Sequence, residues 1–129
     1  TDDKLILKMD IEGYEWEVFK RIDFSTLKQF RQIVCELHFL ADLSFIYALP
    51  ILRKINRSHQ IVYIHANNAA PENIALENGK ILPMYVEACY LRKEDYTFIK
   101  SNREFPTELD SPNIKEKDDI FLGKWNERI

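Results

Sequence analysis

The chain's pattern opens with a short apolar run, Leu5-Ile6-Leu7-Lys8-Met9. Two carboxylates and a glycine follow, Asp10, Glu12 and Gly13, and from Tyr14 the apolar positions take helical spacing. This reads as a buried strand, a polar turn and an amphipathic helix. The run is apolar on both faces, which predicts a central parallel strand. Trp16, Phe19 and Ile22, with Val18, form the apolar face of the helix. Glu15 and Glu17 in its first turn, and Lys20 and Arg21 at its end, suit the helix dipole. Asp23-Phe24-Ser25 breaks it, and Ser25 is expected to cap a short turn running to Phe30.

Gln32 to Phe39 alternates as a second strand, with Ile33, Cys35, Leu37 and Phe39 on one face and Val34, Glu36 and His38 on the other. A helical pattern runs from Leu43 to about Ser58, and Pro50 is expected to break or kink it near Ala48. His59 to Ala66 is a third strand, ended by the turn signal Asn67-Asn68. Ala69 to Pro83 is irregular, with Asn78-Gly79 between Leu76 and Ile81 placed for a tight hairpin. Met84 to Leu91 is a fourth strand, Glu108 to Glu116 a loop, and Ile120 to Leu122 with Trp125 a last apolar patch. Thr1 to Lys4 is a polar lead-in.

Strands alternating with helices predict a parallel α/β sheet covered by helices. The fourth strand follows a loop rather than a helix, so it is expected to return antiparallel, beside the third. The length, 129 residues, fits one domain, and a hydrophobic share of 46% makes it globular. The net charge of -3 supplies no basic field for nucleic acid. No apolar stretch reaches the length of about 18 residues needed to span a membrane. Cys35 and Cys89 lie in apolar strand-like runs, which predicts reduced core thiols and a cytoplasmic protein.

Chemistry gathers where the strands end. The first ends Asp10-x-Glu12, the second Glu36-x-His38 and the third His65-x-Asn67. Residues two apart share a face, and neighbouring strands lie about 4.8 Å apart, so Asp10 is expected near Glu36 or His38, with His65 one strand further off. In open α/β sheets, ligands bind beyond the carboxyl ends of the strands. Carboxylates and imidazoles converging there are the parts of general acid–base chemistry, and imidazole ordinarily titrates near neutrality. The same groups also suit a divalent cation, but no short motif such as H-E-x-x-H fixes a geometry, so no metal is assigned. A purely structural reading is also available: Asp10 bonding backbone amides of the turn, and Glu36 pairing with a lysine such as Lys8.

The stretch LKMDIEGYEWEVF resembles the L-K-[IM]-D-[IV]-E-G-x-E signature of FkbM-type methyltransferases, closest to the methyltransferase-like branch. The similarity continues in IVCELHF and more loosely in VYIHANN, LPMYVEACYLRK and LDSPN. It implies an S-adenosylmethionine-dependent enzyme on a Rossmann-like sheet whose last strand is antiparallel and inserted between the fifth and sixth. The four strands here become the fourth to seventh of that sheet, which sets Cys35 and Cys89 on adjacent strands. Methyl transfer to a hydroxyl of a small-molecule or glycan acceptor is then expected. Asp10, Glu36 and His38 would be catalytic, and Glu12, Gly13, His65 and Asn67 would bind acceptor or cofactor.

Set against the family, the chain is expected to lack the first three strands, the glycine-rich cofactor loop after the first of them and the acidic ribose-binding residue after the second; the three glycines, Gly13, Gly79 and Gly123, are too far apart to replace the loop. The expectation is therefore an incomplete methyltransferase fold, its C-terminal, substrate-side half, doubtful in cofactor binding by itself. It is expected to leave an exposed edge at Leu5 to Met9 that invites self-association. A non-catalytic binding or assembly module, or a divalent-metal site at the same strand ends, is the alternative.

Overall fold

The computed structural model describes residues 5–43, 45–76 and 78–125, without the side chain of Phe45, so the polar lead-in Thr1 to Lys4 lies outside it. Four strands form the main sheet: β1 (Leu5–Met9), β2 (Phe30–Leu37), β3 (His59–Ala66) and β6 (Val86–Arg92). Their order is β1-β2-β6-β3. β1 runs parallel to β2, and β6 is antiparallel to both β2 and β3. The last strand thus inserts between the second and third, which agrees with the expected order and separates β2 from β3. Cys35 and Cys89 stand on adjacent strands as free thiols.

One face of the sheet carries Met9, Ile33, Cys35, Leu37, Ile64, Ala66, Val86, Ala88 and Tyr90, all buried. Helices cover that face. Helix α1 (Glu15–Arg21) supplies Trp16 and Phe19, the short α2 (Phe24–Leu27) supplies Leu27, and α3 (Phe45–Asn56) supplies Ala48, Ile51 and Ile55. Lys54 of α3 donates to the carbonyls of Phe19 (2.8 Å), Lys20 (3.1 Å) and Ile22, closing the C-terminal end of α1. A cation there also meets the negative end of the helix dipole.

The C-terminal segment crosses the opposite face. Tyr63 meets the Phe105 ring edge-on at 5.9 Å and donates to Asp110, and Asn68 accepts from the Ile114 amide at 2.8 Å. Two small ribbons complete the described chain. β4 (Ile74–Ala75) pairs with β5 (Ile81–Leu82) through the expected turn at Asn78-Gly79, and β7 (Glu104–Phe105) pairs with β8 (Gly123–Lys124).

Several expectations are corrected. β1 is an edge strand of the described sheet, not a central one, and Leu5 and Ile6 are exposed. β2 stops at Leu37; His38 and Phe39 belong to the turn, where Phe39 takes a left-handed φ of 60° and half-exposes its ring. The turn is imposed by tertiary partners: Leu40 bonds the Met84 carbonyl, and Trp16 bonds that of His38. The fourth predicted strand begins at Val86, later than expected, and runs through Arg92. Asp23, not Ser25, caps α2, accepting from the Thr26 amide at 2.9 Å. α3 continues through Pro50. The bond that proline removes would have gone to the Ile46 carbonyl, and both residues lie on the exposed side of the helix, where solvent can reach the freed acceptor.

Candidate functional site

The turn after β1 is built around Glu15. This residue is fully buried, and its carboxylate accepts from the Ile11 amide at 2.7 Å and the Gly13 amide at 2.9 Å. Its Oε1 also holds His38 Nδ1 at 3.0 Å. The chain must twist sharply to allow this. Glu12 has φ 58° and Gly13 has φ 105°, a conformation that favours glycine. A Cβ at Gly13 would lie 2.8 Å from the Phe39 ring, so the two strand-end turns close directly on one another.

His38 is the centre of the cluster. It is 3% exposed, with its ring edge-on to Tyr85 at 5.0 Å. A carboxylate on Nδ1 requires a proton on that nitrogen, which turns the lone pair of Nε2 outward. Nε2 faces three carboxylates: Asp10 at 3.7 Å, Glu12 at 3.8 Å and Glu36 at 3.8 Å. Asn67 donates to the other oxygen of Glu36 at 2.8 Å. Five of the residues expected at the strand ends therefore meet: Asp10, Glu12, Glu36, His38 and Asn67.

Among the described residues, the two structural pairings expected for Asp10 and Glu36 are replaced by others. The turn amides bond Glu15 in place of Asp10, and Glu36 pairs with Asn67 rather than Lys8. Gly13 is present at the site, but its amide is engaged by Glu15 and its open side is filled by Phe39.

His65 belongs to a second group on the same sheet face. β6 lies between it and β2, placing Glu87 opposite Glu36 on one side and His65 on the other. His65 Nε2 bonds Asp119 at 2.9 Å, and Nδ1 lies 3.5 Å from Glu87. Burial works against the imidazolium, but the bond and charge of Asp119 outweigh it, and its pKa is raised. The side chains of Glu36 and Glu87, like charges on facing positions, are thus each relieved by a separate partner set.

Sequence reasoning did not single out Glu15 as a site residue. Its place as the last acidic position of D-I-E-G-Y-E was the available signal. Asp119 carried none, because its approach to β3 depends on the path of an irregular segment.

Residues 3–60 match the model of the Methyltransferase FkbM domain. The matched span carries Asp10, Glu12, Glu15, Glu36 and His38, and supports the family resemblance. It falls on the N-terminal part of this chain and lends nothing to the reading of a C-terminal half. No curated protein and no solved structure matches the chain. No helix among the described residues is long and apolar enough to cross a membrane.

Proposed function

We propose that this chain provides the acceptor side of an S-adenosylmethionine-dependent methyltransferase that methylates a hydroxyl group. The observation that carries the reading is that the family match covers the residues meeting at the ends of β1 and β2. The sheet order, with an antiparallel strand inserted between β2 and β3, supports a Rossmann-like methyltransferase sheet. The acceptor is a small molecule or glycan.

The reaction needs a hydroxyl oxygen held in line and relieved of its proton. Asp10 and Glu12 are the exposed carboxylates that orient the hydroxyl. Glu36 and His38 stand behind them to take the proton, and Asn67 and Glu15 fix their positions. The described residues do not fit the cofactor itself. The one glycine turn at the site has its amide bonded and its open face occupied, so it offers no cradle. Free Cys35 and Cys89 suit a cytoplasmic setting.

The test is made on the full-length protein that carries this chain: calorimetric titration of S-adenosylmethionine, followed by transfer of labelled methyl to a panel of hydroxyl-bearing small molecules and glycans. Asp10→Asn and Glu36→Gln are each expected to slow transfer by about 100-fold, the scale of lost acid–base catalysis. Transfer undiminished in both variants overturns the reading.

The reading extends to self-association. Among the described residues the outer edge of β1 has no partner strand, and Leu5 and Ile6 are exposed on it. An unpaired apolar edge is a template for another strand. Sedimentation should show a concentration-dependent dimer that Ile6→Lys abolishes; a monomer at all concentrations refutes this part.

A further inference from the structure

We infer that the strand-end cluster is a divalent-cation site formed by His38 Nε2 and the carboxylates of Asp10 and Glu12. One ligand atom from each of the three lies within 4.8 Å of the other two. A group of carboxylates alone is no argument for an ion, but the imidazole adds an independent one. His38 is 3% exposed, and Nε2, which has no hydrogen-bond partner among the described residues, is aimed into the group at the one side of the ring that solvent can reach. Its neighbours at 3.7, 3.8 and 3.8 Å are too far to bond it directly. Two ligands each about 2.1 Å from one ion lie roughly 3.4 Å apart at a tetrahedral angle and further apart at wider angles. The His38–Asp10 and His38–Glu12 spacings, 3.7 and 3.8 Å, leave room for an ion between the groups.

The surroundings agree. Metal-binding histidines donate their other ring nitrogen to a carboxylate, which fixes tautomer and orientation. Glu15 does this for His38, and two backbone amides hold Glu15 in turn. No lysine or arginine forms an ion pair with Asp10, Glu12 or Glu36 among the described residues, so their charges meet no internal counter-cation. One imidazole with carboxylates suits Mn²⁺ or Zn²⁺ better than the all-oxygen shells of Ca²⁺ or Mg²⁺.

The ion itself rests on this geometry alone. Its role rests on the methyl-transfer reading: the acceptor hydroxyl binds as a further ligand and becomes more acidic. Its O–H bond breaks, the oxygen keeps the electron pair, and the proton passes to the carboxylate of Glu36 alone, because with the ion bound the lone pair of His38 Nε2 is on the metal.

The experiment is calorimetric titration of MnCl₂ and of ZnCl₂ into chelator-washed protein, with the electron-spin-resonance signal of free Mn²⁺ as a second readout. One ion per chain is expected. Asp10→Asn and Glu12→Gln, both on exposed side chains and safe for folding, should each weaken it by at least tenfold, and Glu116→Gln should leave it unchanged. Absence of saturable binding of either ion overturns the inference, as does binding equally tight in both site variants. The titration contains neither cofactor nor acceptor, so it succeeds or fails separately from methyl transfer. Transfer that persists undiminished after chelation removes the ion's proposed role.

Discussion

Replacing Glu15 is the sharpest perturbation of this architecture. Its carboxylate satisfies three donors: the amides of Ile11 and Gly13 and the imidazole N–H of His38. All three bonds close on a side chain with no exposure to solvent. In Glu15→Ala, three donors lose their acceptor, and each costs about 1–3 kcal/mol when water cannot replace it. Even at the low end the loss is about 3 kcal/mol, a large share of the 5–15 kcal/mol typical of a domain. Glu15→Gln is milder. Its one oxygen serves the Ile11 amide and His38 from the Oε1 position, and its amide nitrogen then opposes the Gly13 N–H. One bond is lost, about 1–3 kcal/mol. With a urea m-value of about 2 kcal/mol per M, the midpoint should fall by at least about 1.5 M for alanine and by about 0.5–1.5 M for glutamine. Urea melts followed by circular dichroism measure this, with Glu116→Ala as the surface reference. An alanine variant within about 0.5 kcal/mol of that reference, the usual range for surface changes, would refute the role given to Glu15.

Other outcomes follow from particular contacts. Gly13→Ala combines a disfavoured φ of 105° with a Cβ 2.8 Å from the Phe39 ring. It should cost roughly 1–3 kcal/mol; adding Phe39→Ala should relieve the clash but not the backbone part, as a double-mutant cycle in urea would read. The His65–Asp119 pair raises the histidine pKa, so its stabilisation is complete below the unfolded value near 6.5 and fades as pH rises through the folded value. The urea midpoint should therefore lose ground on going from acid to alkaline pH, and His65→Gln should flatten that slope. Cys35 is buried, and that burial, with smaller contributions from Glu15 and Cys89, pushes its thiol up to about 12. In mass-spectrometric labelling with iodoacetamide, Cys35 should stay unmodified until denaturant unfolds the chain; rapid labelling in buffer would refute the placement.

Local pattern determined the existence and type of the main elements, because each rests on short-range periodicity. Apolar alternation and helical spacing marked β2, β3, α1 and α3. The loop before Met84 indicated that the strand after it would return antiparallel. The chemistry was legible for a related reason: polar residues two apart at three strand ends share a face whatever the loops do. Five of those groups do come together.

Tertiary structure decided what periodicity cannot encode. Insertion of β6 separates His65 from the His38 cluster and gives it to Asp119, a partner 54 positions along the chain. The end of β2, the left-handed turn at Phe39 and the burial of His38 follow from bonds to Met84 and Trp16 on other elements. Glu15 shows the division most clearly. By sequence it is an acidic residue in the first turn of a helix, placed for the dipole. In the fold it is a buried acceptor that joins two strand ends and aims an imidazole at three carboxylates. A helix pattern specifies the angle at which a side chain leaves its axis, and packing against β2 decides what that side chain meets.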